Sequence, residues 1–452
     1  MKRSHKNVRK AICASILILF LFTGNSRAQS GLSQSDLFGT WKGELLRNGF
    51  SWTVHLHVGQ TSEQNKAAEI SFPDWGMYHL KTDKLITTES TIEFTVLWIN
   101  RDFKAALHRD SLKVDWNNGE AKGQMYRFKR EPELFKSEEI TLKTDDGAVL
   151  KGTIIFPDAE PPSNGMVLTH GSGPDTRQTG PYIGKAMLAV EQGLAVLVYD
   201  KRGAGESTGE GAYKIDRLAS DAKGMVDLLR SHPLIESSKV GIGGISQGAW
   251  VAPKVAFDDP EIAFVFAAAV PGLPPSEQNV FTLETRFMKS SVSEEKINYA
   301  KKALRTLYEF YRTGNTAYRD KAESLINDPK YNLLKEDLFK RMMFSPEAKV
   351  YECIDVQDWA TMFVDPLMWW REITVPVVAF SGEDDLNIPT DYSLSVIEAA
   401  LKDARNTHYE IHSYPNAGHG LTLENGPEGD WPRMAPGYVP MMAAWFKKMA
   451  KQ

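Results

Sequence analysis

Six short and almost wholly apolar runs, separated by longer stretches, constrain the fold of this chain more than any other feature. The runs are GMVLTHG, GLAVLVYD, KVGIGG, IAFVFAAAV, VPVVAFSG and HYEIHSY, all between residues 165 and 414. A nearly continuous apolar run is typical of a strand that is buried on both faces of a sheet. The stretch DRLASDAKGMVDLLRSH between two of the runs has helical spacing. This alternation predicts an α/β fold, with a mostly parallel sheet and helices on both of its faces.

Two segments depart from this alternation and predict further domains. Residues 31–133 contain stretches such as SWTVHLHV in which apolar and polar residues alternate, which predicts an all-β sandwich or barrel. Residues 272–365 contain no strand-like run, and SEEKINYAKKALRTLYEFY has apolar residues at helical spacing. We expect this segment to be a helical cap inserted between two strands. The α/β domain is then predicted to comprise residues 137–271 and 366–452.

The N-terminal residues have the pattern of a secretory signal peptide. The basic stretch MKRSHKNVRK precedes the 12-residue apolar run AICASILILFLF, and the small residues Ser26 and Ala28 frame a cleavage site. Twelve helical residues extend about 18 Å, too short for a bilayer core of about 30 Å. We therefore expect residues 1–28 to be removed and the protein to be exported, to the periplasm or the medium. No later stretch is apolar enough to predict membrane insertion.

Charge and cysteine content narrow the classes of partner. Removal of residues 1–28 takes away six Lys/Arg and no Asp/Glu, which leaves a net charge of −11. An acidic protein without a basic tract is a poor candidate for binding nucleic acid or an anionic membrane. Cys13 leaves with the signal peptide, so Cys353 has no intramolecular disulfide partner. The sequence has no Cys/His cluster of the kind that would predict a metal site. It does not determine the oligomeric state.

The stretch KVGIGGISQGAW contains a candidate nucleophile. Gly244-Ile245-Ser246-Gln247-Gly248 fits the pattern Gly-x-Ser-x-Gly. The apolar run KVGIGG supplies a strand before it, and AWVAPKVAF supplies a helix after it. A strand–turn–helix around this pattern is a nucleophile elbow, which holds a strained serine clear of the sheet. Ser246 is thus predicted to be a nucleophile.

A serine hydroxyl needs a base, and the expected chain order is nucleophile, acid, histidine. His419 lies in YPNAGHGL, directly after the last apolar run, where ligands bind in parallel α/β sheets. His170 has a similar setting but precedes the serine. The acid comes from GEDD, after the preceding run, where Glu383, Asp384 and Asp385 are adjacent. The residues alone leave the choice among these three carboxylates open.

Two backbone N–H groups are needed to bind the oxyanion of the tetrahedral intermediate. The first is predicted to be that of Gln247, the residue after the nucleophile. The second is expected from the glycine-rich stretch His170-Gly171-Ser172-Gly173, which follows an earlier apolar run. We expect the Ser172 N–H to donate, with the Gly171 N–H as the second choice. The competing interpretation is that these glycines only form a tight turn.

Two further groups of residues allow structural interpretations. Asp200 and Arg202 in YDKRGAGES are predicted to form an ion pair that fixes a loop beside the site. Four aromatic residues near the end of the cap could line an acyl pocket or pack in a core. They are Trp359, Phe363, Trp369 and Trp370.

As a set, these motifs resemble those of the α/β-hydrolase superfamily, and the nearest subgroup is the serine-aminopeptidase-like hydrolases. The matching motifs are Gly-x-Ser-x-Gly at Ser246, His-Gly-Ser-Gly-Pro at His170, Asp-x-Arg-Gly-x-Gly-x-Ser at Asp200, Gly-x-x-Asp-x-x-Ile-Pro at Gly382 and Ala-Gly-His at His419. The resemblance covers residues 138–452 and implies an α/β-hydrolase fold. It also implies that Asp385 is the acid of a Ser246–His419 pair, because Asp385 holds the subgroup's aspartate position.

The whole chain is also similar to bacterial carboxylesterases with a β-rich N-terminal extension, which begins much like GTWKGELL here. Two positions depart from the subgroup, since Ile245 replaces a common histidine and Ala249 a common glycine. Neither change removes a catalytic group, but both reshape the surroundings of the serine.

The sequence thus favours a serine hydrolase that cleaves small carboxylic esters, with short acyl groups, through an acyl-enzyme. It predicts no need for a metal or cofactor. An aminopeptidase is the first alternative, and it would need an acidic pocket in the cap for the substrate's ammonium group. A carbohydrate-binding protein with an inert hydrolase core is the second.

Overall fold

The computed structural model describes residues 34–47, 50–60, 66–96, 101–128, 135–157, 163–211, 213–336, 362–423 and 433–452. The predicted signal peptide, residues 1–28, lies outside the described residues, as do Cys353 and Trp359. In the part of the chain that is described, no helix combines the length and the apolar character needed to cross a membrane.

The N-terminal β-rich segment is a closed antiparallel barrel of eight strands. The strands are β1 (Gly39–Arg47), β2 (Phe50–Gln60), β3 (Lys66–Phe72), β4 (Met77–Thr87), β5 (Thr91–Val96), β6 (Arg101–His108), β7 (Ser111–Trp116) and β8 (Ala121–Phe128). Pairing of β1 with β8 closes the barrel. At this seam a Cβ on Gly43 would lie 2.1 Å from the carbonyl oxygen of Gln124, so the close approach requires glycine. Trp41, Trp52 and Trp116 are fully buried, and the barrel encloses a packed core.

The remaining strands form a second sheet with the order β16-β15-β14-β13-β11-β12-β10-β9. They are β9 (Lys136–Lys143), β10 (Val149–Phe156), β11 (Gly165–Thr169), β12 (Ala195–Tyr199), β13 (Val240–Ile245), β14 (Val265–Ala268), β15 (Val377–Gly382) and β16 (Tyr409–Tyr414). The pairs from β12 through β11 to β16 are all parallel, whereas β10 pairs antiparallel with both β12 and β9. Each of the six apolar runs contains one of the strands β11 to β16, to within one residue.

Helices cover both faces of this sheet, which confirms the predicted fold class. The helices of the described chain are α1 (Gly180–Glu191), α2 (Ile215–Arg230), α3 (Gly248–Asp258), α4 (Pro275–Lys289), α5 (Glu294–Thr313), α6 (Thr316–Ile326), α7 (Leu367–Trp370), α8 (Thr390–Asp403) and α9 (Tyr438–Met449). Val196 and Val198 of β12 pack on the side of α1 and α9, whereas Ala195 and Leu197 pack on the side of α2, α3, α7 and α8. Successive residues of β12 thus feed two separate cores, which is why a strand inside the sheet is apolar throughout.

Helices α4, α5 and α6 lie between β14 and β15 in the chain and have their own apolar core. Leu283 of α4 packs with Leu304, Leu307 and Tyr311, which occur on one face of α5 at helical spacing. The described residues 272–336 are therefore helical, as the absence of strand-like runs predicts.

The barrel and the α/β domain share one continuous core. The barrel residues and those of α1 and α9 belong to a single apolar cluster. At the contact a Cβ on Gly184 of α1 would lie 2.5 Å from the carbonyl oxygen of Gly76. The carbonyl oxygen of Asp74 also accepts a hydrogen bond from the Met434 N–H at 3.1 Å. The barrel is thereby fixed to the segment that pairs with the loop after His419, through the bridge between Thr422 and Met434.

Candidate active site

The carboxyl ends of four parallel strands bring the candidate residues to one edge of the sheet. The oxyanion loop, residues 170–173, follows β11, and Ser246 follows β13. Asp385 lies three residues after β15, and His419 lies five residues after β16. From β11 the chain crosses to β12 on one side and later to β13 on the other, so this edge contains a topological switch point. Crevices at such points are where α/β sheets bind ligands.

Ser246 occupies a tight turn between β13 and α3. Its φ of 56° is left-handed, a strained conformation for a residue with a side chain. The turn allows no side chain at its two glycines, because a Cβ on Gly244 would lie 1.9 Å from the carbonyl oxygen of Gly248. A Cβ on Gly248 would lie 2.6 Å from the Thr169 hydroxyl. This is the geometry of a nucleophile elbow.

The elbow glycines provide a test of the local packing. Gly244→Ala is expected to lower the free energy of unfolding by about 3 kcal/mol, because the added methyl overlaps backbone that cannot move freely. Gly420→Ala is the control, since a Cβ there would first meet the Thr422 hydroxyl at 3.4 Å. The control should change stability by less than about 0.5 kcal/mol. Chemical denaturation measures both, and equal losses would contradict the steric explanation.

His419 connects the serine to a buried carboxylate. Its Nε2 lies 2.9 Å from Ser246 Oγ, and its Nδ1 lies 2.7 Å from Asp385 Oδ2. The carboxylate side chain is fully buried, and its Oδ1 accepts hydrogen bonds from the N–H groups of Asn387 (2.7 Å) and Ile388 (3.1 Å). Since the carboxylate accepts a hydrogen bond from Nδ1–H, the lone pair of the neutral imidazole is left on Nε2, toward the serine.

Of the three adjacent carboxylates, Asp385 is the one that contacts His419. Glu383 and Asp384 are exposed, and Glu383 accepts a hydrogen bond from Ser413 at 2.8 Å. The Asp384 N–H donates to the carbonyl oxygen of Ala417 at 2.9 Å, which ties the acid loop to the histidine loop. The backbone then directs only the third carboxylate inward. The residues alone left this choice open, whereas the family resemblance implied Asp385.

Helix α4 of the cap forms hydrogen bonds with the acid loop, the loop after β15 that contains Asp385. The sequence analysis missed this role. Thr285 Oγ1 lies 2.6 Å from the carbonyl oxygen of Leu386, and Thr282 Oγ1 lies 3.1 Å from that of Asn387. Arg286 Nη2 donates to the side-chain oxygen of Asn387 at 2.5 Å. The contacts join residues about 100 positions apart, so no local pattern in the sequence could have predicted them.

The predicted oxyanion donors are not equivalent. The N–H groups of Gln247 and Ser172 have no hydrogen-bond acceptor within the described residues. The Gly171 N–H is buried and donates to the Tyr182 hydroxyl at 2.7 Å, and this hydroxyl in turn donates to Asp175 at 2.9 Å. The prediction of Gly171 as the second-choice donor is therefore wrong, because its N–H already has an acceptor inside the protein. Gln247 and Ser172 stay as predicted donors.

The predicted ion pair between Asp200 and Arg202 is wrong. Asp200 pairs with Arg177 at 3.1 Å, whereas buried Arg202 pairs with Asp221 at 2.5 Å and with Asp146 at 2.8 Å. Asp200 and Arg202 lie where the chain turns after β12, and each side chain reaches a partner on another segment. Both charges still fix the loop after β12, through different partners.

The three described aromatic residues near the end of the cap, Phe363, Trp369 and Trp370, pack in or against apolar cores. Trp369 and Trp370 are buried in the cluster formed by α2, α3 and α8, and Phe363 packs edge-on against Tyr308 of the cap. His170 is also a packing residue, held between Tyr182 and Tyr199. Burial, together with the charge of the nearby Lys201, lowers the pKa of His170 to about 3, so its ring is neutral.

Within the described residues, no cluster of three or more His, Cys, Asp or Glu could hold a metal ion. The arrangement at the sheet edge brings together a hydroxyl, an imidazole and a buried carboxylate, and the N–H groups of Gln247 and Ser172 have no acceptor among the described residues. It can activate an alcohol oxygen for attack on a carbonyl and stabilise the negative charge that develops.

Comparison with known proteins assigns a family to the chain. Residues 160–426, more than half of its length, match the model of the family described as serine aminopeptidase, S33. The thiohydrolase apmlB of Arthrinium phaeospermum is 27% identical over 140 residues, which are 30% of this chain and 44% of that protein. The polyketide transferase claH of Penicillium crustosum is 32% identical over 96 residues, 21% and 31% of the two chains. The chain thus spans less than half the length of these relatives.

Two solved structures are similar in outline. The esterase Pf2001 of Pyrococcus furiosus aligns with a TM-score of 0.43 and 16% identity, over 70% of this chain and 90% of that chain. Est1E of Butyrivibrio proteoclasticus, solved with ferulic acid, aligns with a TM-score of 0.42 and 14% identity, over 68% and 96% of the two chains.

Proposed function

Because the chain belongs to the serine aminopeptidase S33 family of α/β hydrolases, we propose that it hydrolyses carboxylic esters through an acyl-enzyme formed on Ser246. The observation that carries this proposal is the hydrogen-bonded series from Asp385 through His419 to Ser246, with contacts of 2.7 and 2.9 Å. No metal or cofactor takes part in the proposed steps.

In the acylation half, Ser246 Oγ attacks the ester carbonyl carbon while His419 Nε2 takes its proton. The carbonyl oxygen becomes an oxyanion, which accepts hydrogen bonds from the N–H groups of Gln247 and Ser172. Gln247 lies at the N-terminus of α3, whose partial positive charge adds to the stabilisation. Collapse of the intermediate expels the alcohol, which receives the proton from His419.

In the deacylation half, the same groups act on water. His419 Nε2 removes a proton from a water molecule, which attacks the acyl carbon, and the oxyanion forms again at the two N–H groups. Ser246 then leaves with the proton from His419, and the carboxylic acid is released. Throughout, Asp385 holds the imidazole orientation and stabilises its charged form.

The cap provides a reason to favour esters over peptides with a free amino terminus. An aminopeptidase would need an unpaired carboxylate to bind the substrate's ammonium group. Six of the nine carboxylates in residues 272–336 pair with Lys or Arg of the same cap. The pairs are Glu277–Arg305, Glu284–Lys301, Glu295–Lys330, Glu309–Arg312, Asp320–Arg319 and Glu336–Lys296. Such paired carboxylates are poor partners for a second cation.

Matched chromogenic substrates test this choice. We expect kcat/KM for p-nitrophenyl acetate to exceed that for alanine p-nitroanilide by at least about 10³-fold. A p-nitrophenyl series from acetate to decanoate then measures the acyl length, and a preference for short chains is expected. A higher kcat/KM for the anilide would establish the peptidase instead. Failure of a fluorophosphonate probe to label the wild-type protein would favour the inert, carbohydrate-binding alternative.

We also propose that the protein is exported after removal of residues 1–28, on the evidence of the basic and apolar stretches described above. Expression of the full chain in a bacterium, followed by N-terminal sequencing of the fraction outside the cytoplasm, tests this. The expected N-terminus is Gln29. An uncleaved chain that stays in the cytoplasm would contradict the proposal.

A further inference from the structure

A buried lysine contacts both halves of the proposed oxyanion site. Lys201 follows β12 and is 1% exposed. Its ammonium group donates to the carbonyl oxygens of Gly171 (2.7 Å) and Gly173 (3.2 Å), and to the side-chain oxygen of Gln247 (2.7 Å). An ammonium group has three N–H donors, so all three are used within the protein.

The planarity of the peptide bond converts the contact at Gly171 into an orientation of Ser172. In a trans peptide the carbonyl of Gly171 and the N–H of Ser172 point in opposite directions. When Lys201 draws the Gly171 oxygen inward, the Ser172 N–H must point away from the lysine. The contact at Gly173 fixes a second carbonyl on the other side of Ser172, so the loop cannot rotate about Ser172 without losing a charge-assisted hydrogen bond.

The third contact links this loop to the nucleophile elbow. Gln247 provides the other proposed donor through its backbone N–H, while its side chain accepts from Lys201. One ammonium group therefore sets the spacing between the two N–H groups. Its positive charge also polarises the Gly171–Ser172 peptide, which strengthens the N–H as a donor.

We propose that Lys201 is a positioning residue, which holds the Ser172 and Gln247 N–H groups in the arrangement that binds the oxyanion. This role rests on the proposed hydrolysis at Ser246 and extends it to a residue that touches no substrate. The main chain of Lys201 is fixed for the task, since its N–H donates to the carbonyl oxygen of Asp175 at 3.0 Å.

The surroundings of Lys201 predict a pH dependence. Burial lowers the pKa of Lys201 to about 8, and the nearby Asp175 opposes this only in part. His170 is neutral, and burial raises the pKa of Tyr182, so neither carries a charge in this range. Above about pH 8 the ammonium loses a proton and becomes an amine with two donors for three acceptors. The oxyanion site should then loosen, and activity should fall as the pH rises.

Lys201→Met tests the proposal, with Lys185→Met as a matched control. Lys185 is also a buried lysine whose pKa is lowered by burial to about 8, but its contacts are the carbonyl oxygen of Pro181 in α1 and the ring of Tyr438. Lys201→Met should lower kcat for p-nitrophenyl acetate by about 100-fold with KM changed less than about threefold. The rate of Ser246 labelling by a fluorophosphonate should fall by a similar factor, because phosphonylation uses the same donors. Lys185→Met should stay within about threefold of wild type on both measures.

The pH profile separates positioning from a general loss of structure. The alkaline decline near pH 8 should be present in wild type and Lys185→Met and absent from Lys201→Met. If Lys201→Met does not fold, Gln247→Leu removes one acceptor and should lower kcat by about tenfold. The proposal is overturned if Lys201→Met or Gln247→Leu keeps full labelling and turnover, or if the decline near pH 8 persists without Lys201. Wild type that is labelled but hydrolyses no ester would instead refute the ester substrate alone, and wild type that resists labelling would refute both.

Discussion

Ser246→Ala is expected to lower kcat for p-nitrophenyl acetate by about 10⁶-fold, because the variant has no nucleophile on which the acyl-enzyme can form. The acyl-enzyme forms on Ser246 Oγ, and no other hydroxyl lies in the hydrogen-bonded series with His419 in the described part of the chain. The N–H groups of Gln247 and Ser172 remain in the variant, so a residual acceleration of up to about 10³-fold over water is expected. Initial rates at saturating substrate measure the change.

Ser172→Ala is the informative control, because Ser172 is an exposed serine of the proposed oxyanion loop and the substitution keeps its backbone N–H. We expect it to lower kcat by no more than a few-fold. Alanine tolerates the left-handed conformation at position 246 about as well as serine does, so the Tm of Ser246→Ala should lie within a few degrees of wild type. Retained turnover in a folded Ser246→Ala would rule out the proposed nucleophile.

The sequence was most informative where a local pattern of residues allowed few alternative structures. Five of the six apolar runs form strands inside the sheet and feed two cores at once, so their composition had few alternatives to a central strand, whereas HYEIHSY forms the half-buried edge strand β16. Gly244 and Gly248 flank a turn with no room for a Cβ, and their spacing around Ser246 predicted that turn directly. The positions of His419 and the acid loop followed from the rule that ligand sites lie at the carboxyl ends of parallel strands.

The sequence was least informative where partners are distant in the chain. Arg202 was expected to pair with Asp200, but its partner Asp221 lies on α2 and Asp146 lies between β9 and β10. The satisfaction of the Gly171 N–H by Tyr182 depends on how α1 packs against the loop, which no spacing encodes. Hydrogen bonds of this kind result from tertiary packing and can be read only from the assembled structure.

The role of Lys201 has the same origin. In the sequence it is one lysine in YDKRGAGES, and charged residues in loops are usually solvated. Only the close approach of the loops after β11, β12 and β13 reveals that its ammonium group is buried and has three acceptors. The positions of the two proposed donor N–H groups, which follow β11 and β13, therefore depend on a lysine that follows β12.

Asp385→Asn is expected to lower kcat by about 10⁴-fold, the second largest effect predicted here. The amide can donate to His419 Nδ1, which favours the tautomer with the proton on Nε2. That proton then faces Ser246 Oγ, and the imidazole can no longer act as its base. Asp384→Asn makes the same chemical change one residue earlier, at an exposed side chain without contact to His419 in the described structure, and should change kcat less than about twofold.

The two Asp→Asn variants also distinguish the mechanism from a loss of stability. Asp385 accepts hydrogen bonds from the Asn387 and Ile388 N–H groups through Oδ1, and the asparagine side-chain oxygen can accept both. The loop should therefore keep its shape, and KM should change less than about threefold while kcat falls. Because the defect lies in the proton transfer, kcat of Asp385→Asn should rise with hydroxide concentration, as free hydroxide can partly replace the base. An equal loss of kcat in Asp384→Asn, or full activity of Asp385→Asn, would transfer the role of the acid to another residue of the loop.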